Sequence, residues 1–227
     1  LMAPLDALES SSKPVVVAIH GTALGGGLEV ALACHYRCAV ASAQVGFPEV
    51  LLGLIPGAAG TQRLPRVVGP EQALAMITSG IPITAGKANE LGLIDHIVDG
   101  DLLEGAVAYA KEIISENRPL VKVRDMNDKV TGVNPEIFSA ARAKFAKSKR
   151  NFNAPQRCID AIEAACTLPF DEGLKKESEM FAQLVTSAQS AAQRHIFFAE
   201  RAAAKISDVP KDTPLKEIGS VGIIGAG

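Results

Sequence analysis

The sequence predicts an α/β fold followed by a part made of helices alone. Over residues 1–116, short apolar runs rich in β-branched residues alternate with helical patterns, which is typical of an α/β core. Beyond about Asn117, helical patterns follow one another with no strand pattern between them. Residues 207–220, with two prolines and charges of both signs, predict a linker before a last apolar run.

The first part begins with a strand pattern. Residues 14–19 are apolar throughout, which predicts a strand buried on both faces. After a glycine loop, residues 28–34 predict a short helix buried in the core, because nearly all of them are apolar. Further strands are predicted at 36–40 and 94–98, and further helices at 61–68, 70–79, 84–91 and 101–115, with Pro70 and Thr84 suited to helix starts.

The second part is predicted to contain three helices, at residues 135–149, 155–166 and 171–205. Unbroken, the last helix would be roughly 50 Å long. Its apolar stripe has three-to-four spacing, so we expect it to pack across the same domain. The stripe consists of Leu174, Phe181, Leu184, Ala188, Ala191, His195 and Phe198. Residues 221–224 then predict a new strand.

Composition and charge exclude several classes of protein. The 227 residues are 48% hydrophobic and carry a net charge of -2, so the chain can form a core and has no basic face for nucleic acid. No apolar run approaches the length of a membrane span, and no signal peptide is visible. The four cysteines, Cys34, Cys38, Cys158 and Cys166, show neither a C-x-x-C nor a zinc pattern. We therefore expect a soluble intracellular protein with free thiols and no metal.

The stretch HGTALGGGLEV places Gly25, Gly26 and Gly27 before the predicted buried helix. A phosphate-binding P-loop would need a lysine, and a nucleophile elbow would need a serine between glycines. One remaining interpretation is an oxyanion hole, in which backbone N–H groups at a helix start meet developing negative charge. The other is a tight turn with close packing.

Two glutamates, Glu29 and Glu49, stand in otherwise apolar surroundings. A carboxylate in such a place is costly to desolvate unless it has partners or a chemical role. Two of them could act as a general acid/base pair. Alternatively, each could cap a helix or pair with Arg37 or Arg63.

Linked motifs in the segment AIHGTALGGGLEVALACHYRCAVASAQVGFPEVLLGLIPGAAGTQRLPRVVG resemble the enoyl-CoA hydratase/isomerase (crotonase) superfamily. The resemblance covers residues 13–205. The segment DEGLKKESEMFAQLVTSAQSAAQRHIFFAERAAAK and the final strand ending in Gly-x-Gly resemble the type 1 multifunctional enzymes of fatty-acid β-oxidation. In those enzymes a hydratase/isomerase domain precedes a 3-hydroxyacyl-CoA dehydrogenase.

The resemblance implies a role for particular residues of this chain. Hydration of a trans-2-enoyl-CoA to a (3S)-3-hydroxyacyl-CoA would need no cofactor, and the same site would move a double bond from position 3 to 2 with Glu49 shuttling the proton. NAD would serve the dehydrogenase of the longer enzyme. The implied residues are Glu29 and Glu49 for catalysis, Gly26 for the oxyanion hole, Gly25 and Gly57 for substrate binding, and Gly225 and Gly227 for the dinucleotide.

The resemblance also implies a domain organisation. Residues 1–116 would form a crotonase-like ββα superhelix lacking its N-terminal part, and 117–205 the helical remainder of the same domain. A linker at 206–219 would lead to the first strand of a Rossmann domain at 220–227. Because relatives take the second oxyanion donor and much of the CoA surface from a segment that would precede Leu1, we expect a fragment that hydrates poorly by itself.

Several questions stay open in the sequence. The compartment would be the peroxisome in a eukaryote and the cytoplasm in a bacterium, and the oligomeric state is not fixed. Alternative functions are an acyl-CoA hydrolase or decarboxylase, and a non-catalytic acyl-CoA-binding module. The presence of both glutamates favours hydration. Arg63 and Arg66 could contact CoA phosphates or hold helix ends. We expect His20 and His35 to be packed or hydrogen-bonded core residues, and His96 and His195 have no visible catalytic partner.

Overall fold

The computed structural model describes residues 2–148, 151–203, 209–210, 212–214 and 216–225. Two short 3-10 helices, Pro48–Leu52 and Val123–Asp125, accompany the regular elements. In chain order these are α1 (Met2–Glu9), β1 (Val16–Ile19), β2 (Thr22–Leu24), α2 (Gly26–Ala33), β3 (Tyr36–Val40), β4 (Gln44–Gly46), α3 (Gly60–Val68), α4 (Pro70–Ser79), β5 (Ile83–Thr84), α5 (Ala85–Glu90), β6 (His96–Val98), α6 (Leu102–Ser115), α7 (Glu136–Ser148), α8 (Asn153–Thr167), α9 (Phe170–Val185) and α10 (Ala188–Ala203).

The strands form two small sheets, and the chain passes from one sheet to the other several times. The first sheet has the order β1-β3-β6 and is parallel, with Val16 opposite Tyr36 and Cys38 opposite His96. In the second sheet β2 and β4 are parallel, and β5 is antiparallel to β4. Two strands, one in each sheet, therefore precede α2. The α/β prediction is confirmed, although the sequence did not reveal β2, β4 and β5, which are two or three residues long.

The prediction that β1 is buried on both faces is wrong. Along this strand only Ile19 is buried, and Ala18 is exposed. In the described part of the chain, β1 is an edge strand with β3 as its single neighbour. The central strand β3 has the continuous burial that the apolar pattern of β1 indicated.

Most predicted helices form where their end signals stand. Asp101 accepts a hydrogen bond from the Glu104 N–H at 2.9 Å and caps α6, and Thr84 caps α5 through the Lys87 N–H at 3.3 Å. The main apolar core lies between α2, α3, α4 and α8, and it includes Val45 of β4. Its fully buried side chains include Leu28, Leu32, Phe47, Ile55, Leu64, Ile77 and Ile159.

The prediction of one unbroken helix over residues 171–205 is also wrong. The chain breaks after Val185, and α10 begins at Ala188. Ser187 stabilises this new start, because its Oγ accepts a hydrogen bond from the Ser190 N–H at 3.1 Å. The apolar stripe is covered at Leu184, whereas Phe198 is 65% exposed. Residues 204–205 lie outside the described residues.

The described residues 216–225 form no strand, in contrast to the prediction for 221–224. Val221, Ile223 and Ile224 are at least 75% exposed. A strand needs a neighbour to bond its N–H and C=O groups, and none lies beside this segment in the described part of the chain. Residues 209–210, 212–214 and 216–220 of the predicted linker likewise have neither helix nor strand.

Within the described ranges, no helix is both long enough and apolar enough to cross a membrane. The four cysteines are free thiols; Cys34, Cys38 and Cys158 are buried, and Cys166 is partly exposed.

Candidate active site

The glycine loop connects β2 to α2 through an unusual backbone conformation. Gly25 has φ +55° and donates its N–H to the Gly46 carbonyl at 2.9 Å. Its own carbonyl accepts hydrogen bonds from the Leu28 and Glu29 N–H groups. A Cβ added to Gly25 would lie 2.6 Å from Oε1 of Glu49. The turn and the close approach therefore both require glycine at this position.

The next two glycines open α2 and face outward. Gly26 and Gly27 are exposed, and a Cβ added to either would meet no atom within 4 Å. As the first residues of the helix, they have N–H groups without an intrahelical acceptor. This end of the helix also has the positive end of the helix dipole. A ligand oxygen could therefore approach these amides directly.

Glu29 lies one turn into α2 and is only 4% exposed. Its Oε1 accepts hydrogen bonds from the Ala58 N–H at 2.6 Å and the Gly60 N–H at 2.9 Å. Glu29 thus caps the start of α3, as one of the sequence interpretations allowed. Burial raises its pKa, although the two backbone hydrogen bonds and the charge of Arg63 act in the opposite direction.

Glu49 is carried by the 3-10 helix Pro48–Leu52, and its side chain points to Gly25. Its Oε2 is buried and has no hydrogen-bond partner among the described residues. The pKa of Glu49 is raised to about 7, mainly by burial; a backbone hydrogen bond lowers it and the nearby charge of Glu29 contributes to the rise. The two glutamates predicted from the sequence therefore lie close enough to interact, beside the glycine loop.

A third buried carboxylate, Glu177 of α9, escaped the sequence analysis. Its Oε1 accepts from the Ala59 N–H at 2.7 Å, and its Oε2 accepts from the Thr61 N–H at 3.0 Å and the Thr61 hydroxyl at 2.5 Å. Its pKa is raised to about 8, mainly by burial and partly by the charge of Glu29. A signal existed, because Glu177 shares the helix face of the buried Gly173, Met180 and Leu184.

Gly57 packs against the ring of Phe181 in α9. A Cβ added there would lie 2.5 Å from Cδ2 of Phe181, so glycine allows α9 to approach this loop. The prediction that Gly57 contacts the substrate stays a prediction.

Two arginines considered as CoA ligands are buried instead. The Arg63 Nη2 donates to Oε2 of Glu9 at 2.8 Å, and the Arg66 Nη1 donates to the Gln62 carbonyl at 2.7 Å. Both guanidinium groups lie over the Phe170 ring. These contacts favour a structural role for the two arginines over the alternative that they bind CoA phosphates.

The expected core position is confirmed for His35 and wrong for His20, which is exposed. His35 is buried, and its Nδ1 accepts from the Val15 N–H at 3.0 Å; burial lowers its pKa. His96 stacks on Tyr109 with ring centroids 4.7 Å apart, and His20 and His195 are exposed.

Neither a metal nor a dinucleotide has a built site in the part of the chain that the structure describes. No three His, Cys, Asp or Glu residues there are grouped as ligands for a metal ion. Gly225 lies in an exposed segment without strand or helix, and Gly227 lies outside the described residues. The described residues that precede Gly225 therefore do not form the strand of such a site.

The fold agrees with what the chain resembles among known proteins. The family model described as "Enoyl-CoA hydratase/isomerase" matches residues 2–155, which is more than half of the chain. The Homo sapiens protein named "Peroxisomal bifunctional enzyme" is 43% identical over 229 residues, covering 98% of this chain and 31% of that protein. The chain belongs to the enoyl-CoA hydratase/isomerase family.

Two further comparisons bear on function and fold. The Arabidopsis thaliana "Peroxisomal fatty acid beta-oxidation multifunctional protein MFP2" is 41% identical over 226 residues, covering 98% of this chain and 31% of that protein. The crystal structure of an enoyl-CoA hydratase/isomerase from Pseudoalteromonas atlantica T6c superposes with a TM-score of 0.56 at 24% identity, covering 86% of this chain and 66% of that one. The crotonase-like fold implied by the resemblance is thus confirmed. The chain spans about a third of the length of these curated relatives.

Proposed function

We propose that this chain forms the hydratase/isomerase site of a fatty-acid β-oxidation enzyme, which adds water to a trans-2-enoyl-CoA to give a (3S)-3-hydroxyacyl-CoA. The observation that carries the proposal is the buried, unpartnered Oε2 of Glu49, close to Glu29 and beside the open start of α2. An unpaired buried carboxyl oxygen is costly to a fold unless a bound molecule uses it.

The thioester oxygen would accept a hydrogen bond from the Gly26 N–H. When water adds to carbon 3, negative charge develops on this oxygen, and a helix N-terminus stabilises that charge. One such donor contributes on the order of 10²–10³ in rate. Gly25 and Gly57 would line the same pocket, where the absence of side chains lets Glu49 and Phe181 pack close to the loops that meet the substrate.

The two glutamates would hold the water and divide the proton transfers. The two N–H groups that bind Glu29 favour its charged form, whereas the buried, unbonded Oε2 of Glu49 favours the protonated form of that carboxyl group. Glu29 then draws a proton from the water, and protonated Glu49 delivers one to carbon 2. For the isomerase reaction, Glu49 would carry the proton between carbons 2 and 4.

The test is a crotonyl-CoA hydration assay on the whole polypeptide that carries this sequence. We expect Glu29→Gln and Glu49→Gln each to lose on the order of 10²–10⁴ in kcat. Glu71→Gln, at an exposed glutamate, is the matched control and should retain full activity. If turnover survives both changes while CoA binding persists, hydration does not depend on these two glutamates. That result would support the alternative in which this chain is a non-catalytic acyl-CoA-binding module. Release of free CoA or CO₂ from acyl-CoA substrates would support a hydrolase or decarboxylase.

The names of the curated relatives support a second activity for the whole polypeptide. Those relatives are called bifunctional or multifunctional, and this chain matches only 31% of their length. The predicted division therefore stands as a proposal: core 1–116, helical part 117–205, linker 206–219 and an NAD-binding dehydrogenase from residue 220. The location would be peroxisomal in a eukaryote and cytoplasmic in a bacterium. Formation of NADH from crotonyl-CoA plus NAD by the whole polypeptide tests the dehydrogenase.

A further inference from the structure

The turn that opens α3 is bound from two sides by two carboxylates. Four consecutive backbone N–H groups alternate between them: those of Ala58 and Gly60 donate to Glu29, and those of Ala59 and Thr61 donate to Glu177. Glu29 comes from α2, on the side of the glycine loop, and Glu177 comes from α9. The two carboxylates therefore fix one segment of backbone together.

This segment has a backbone conformation that needs such support. Ala59 has φ +73°, in the left-handed region that residues with a Cβ rarely adopt, at a cost of about 1–3 kcal/mol when held there. The hydrogen bond from its N–H to Glu177 is one contact that holds this conformation. The packing of α9 on α3 is close, because a Cβ added to Gly173 would lie 2.1 Å from Oε1 of Gln62.

Placing a second carboxylate beside Glu29 has an electrostatic cost. Glu177 is fully buried, and Glu29 and Glu177 interact unfavourably when both are charged. Arg63 also acts on Glu29, but its hydrogen bonds go to Glu9 and to the Ala58 carbonyl. An apolar side chain in the place of Glu177 would remove this repulsion, but it would leave the buried N–H groups of Ala59 and Thr61 without acceptors.

We propose that Glu177 is a positioning residue, which acts through the Ala58–Thr61 backbone to fix the carboxylate of Glu29 in its catalytic place. The consequence for turnover rests on the proposed function. The consequence for the backbone does not, because the hydrogen bonds to Glu29 exist without a substrate. Loss of the Glu177 contacts should release Ala59 from its left-handed conformation and loosen the Ala58 and Gly60 bonds to Glu29.

The experiment compares Glu177→Leu and Glu177→Gln with Glu179→Leu in the whole polypeptide. Glu179 is an exposed glutamate on the same helix, paired with Lys176 at 3.5 Å, so it is the matched control. We expect Glu177→Leu to lower kcat for crotonyl-CoA at least tenfold with KM changed less than twofold. Glu177→Gln keeps one acceptor oxygen, so its kcat should lie between the kcat of Glu177→Leu and that of the unmodified protein. Glu179→Leu should leave both constants unchanged.

A second measurement does not depend on activity. In Glu177→Gln, the Ala58 and Gly60 amides should exchange with solvent at least tenfold faster, although neither touches Glu177. Where the Leu variant does not fold, Thr61→Val supplies a milder change, since it removes the hydroxyl bond to Glu177 at nearly constant volume. Unchanged kcat together with unchanged amide exchange in a folded variant would overturn the proposal. No turnover by the unmodified protein would overturn the proposed function instead, and the exchange data would still decide the role of Glu177.

Discussion

Gly25 and Glu49 constrain each other at the centre of the candidate site. Gly25 combines a positive φ with a Glu49 oxygen 2.6 Å from the place of a Cβ. A Cβ added to Gly26, the next residue, would meet no atom within 4 Å. Adjacent glycines therefore have different physical reasons for being glycine.

Gly25→Ala should destabilise the protein by at least about 1–3 kcal/mol, because the left-handed backbone is strained by a Cβ. It should also displace Glu49 and abolish hydration of crotonyl-CoA. Gly26→Ala keeps the N–H group and has room, so its stability should change little. Urea denaturation of both variants checks this difference. Equal stability of the two would contradict it.

The pH dependence of hydration should reflect the proton on Glu49. Because burial raises its pKa to about 7, Glu49 is protonated below that pH and can act as the acid. We therefore expect kcat/KM for crotonyl-CoA to fall as pH rises through about 7. This limb should be absent from the residual activity of Glu49→Gln. A profile of the unmodified protein that stays flat between pH 6 and 8.5, roughly, would contradict the assignment.

At the scale of elements, α9 and α10 each support one of the two glutamates proposed for catalysis. The α9 helix reaches the Glu29 turn through Glu177. The α10 helix reaches the 3-10 helix of Glu49, because the Ser190 hydroxyl donates to the Leu52 carbonyl at 2.8 Å. The break between α9 and α10 lets the two helices contact different parts of the site.

Substitutions of two serines near this break should distinguish the effect of α10 on stability from its effect on the geometry of the site. Ser187→Ala removes the cap of α10 and should cost about 0.5–2 kcal/mol without changing kcat. Ser190→Ala should cost about 1 kcal/mol and also lower kcat, since it releases Leu52 next to Glu49. Thermal unfolding and crotonyl-CoA kinetics on both variants test the distinction. A matched loss of kcat in the two would show that α10 acts only through stability.

At the scale of the whole molecule, buried carboxyl groups make stability depend on pH. Glu177 has a pKa of about 8 in the folded protein against an ordinary value of 4.5. Between these values the folded state binds more protons than the unfolded state, so stability should fall as pH rises. The slope from one such group is at most about 1.4 kcal/mol per pH unit.

Glu177→Gln should therefore flatten the stability profile between pH 4.5 and about 8. Free energies of unfolding from urea titrations across this range check the prediction, with Glu179→Gln as the control. A variant whose profile runs parallel to that of the unmodified protein would show that Glu177 is ionised in the folded state.

The sequence by itself determined the elements whose signals are local. The bounds of β3 and α4 and the cap at Thr84 depend on residues within one or two turns of each other. Glu29 and Glu49 were predicted for a similar reason, because a carboxylate in an apolar run is unusual wherever it occurs. The family resemblance then linked them with Gly26 as one site.

Only the tertiary structure decided which segments meet. The exposure of β1, the pairing of β2 with β4, and the break before α10 depend on neighbours that are distant in sequence. The same holds for Glu177, which binds the backbone of α3 from α9. Burial and strand pairing are set by partners across the fold, and a periodic pattern shows that a face will be covered without showing what covers it.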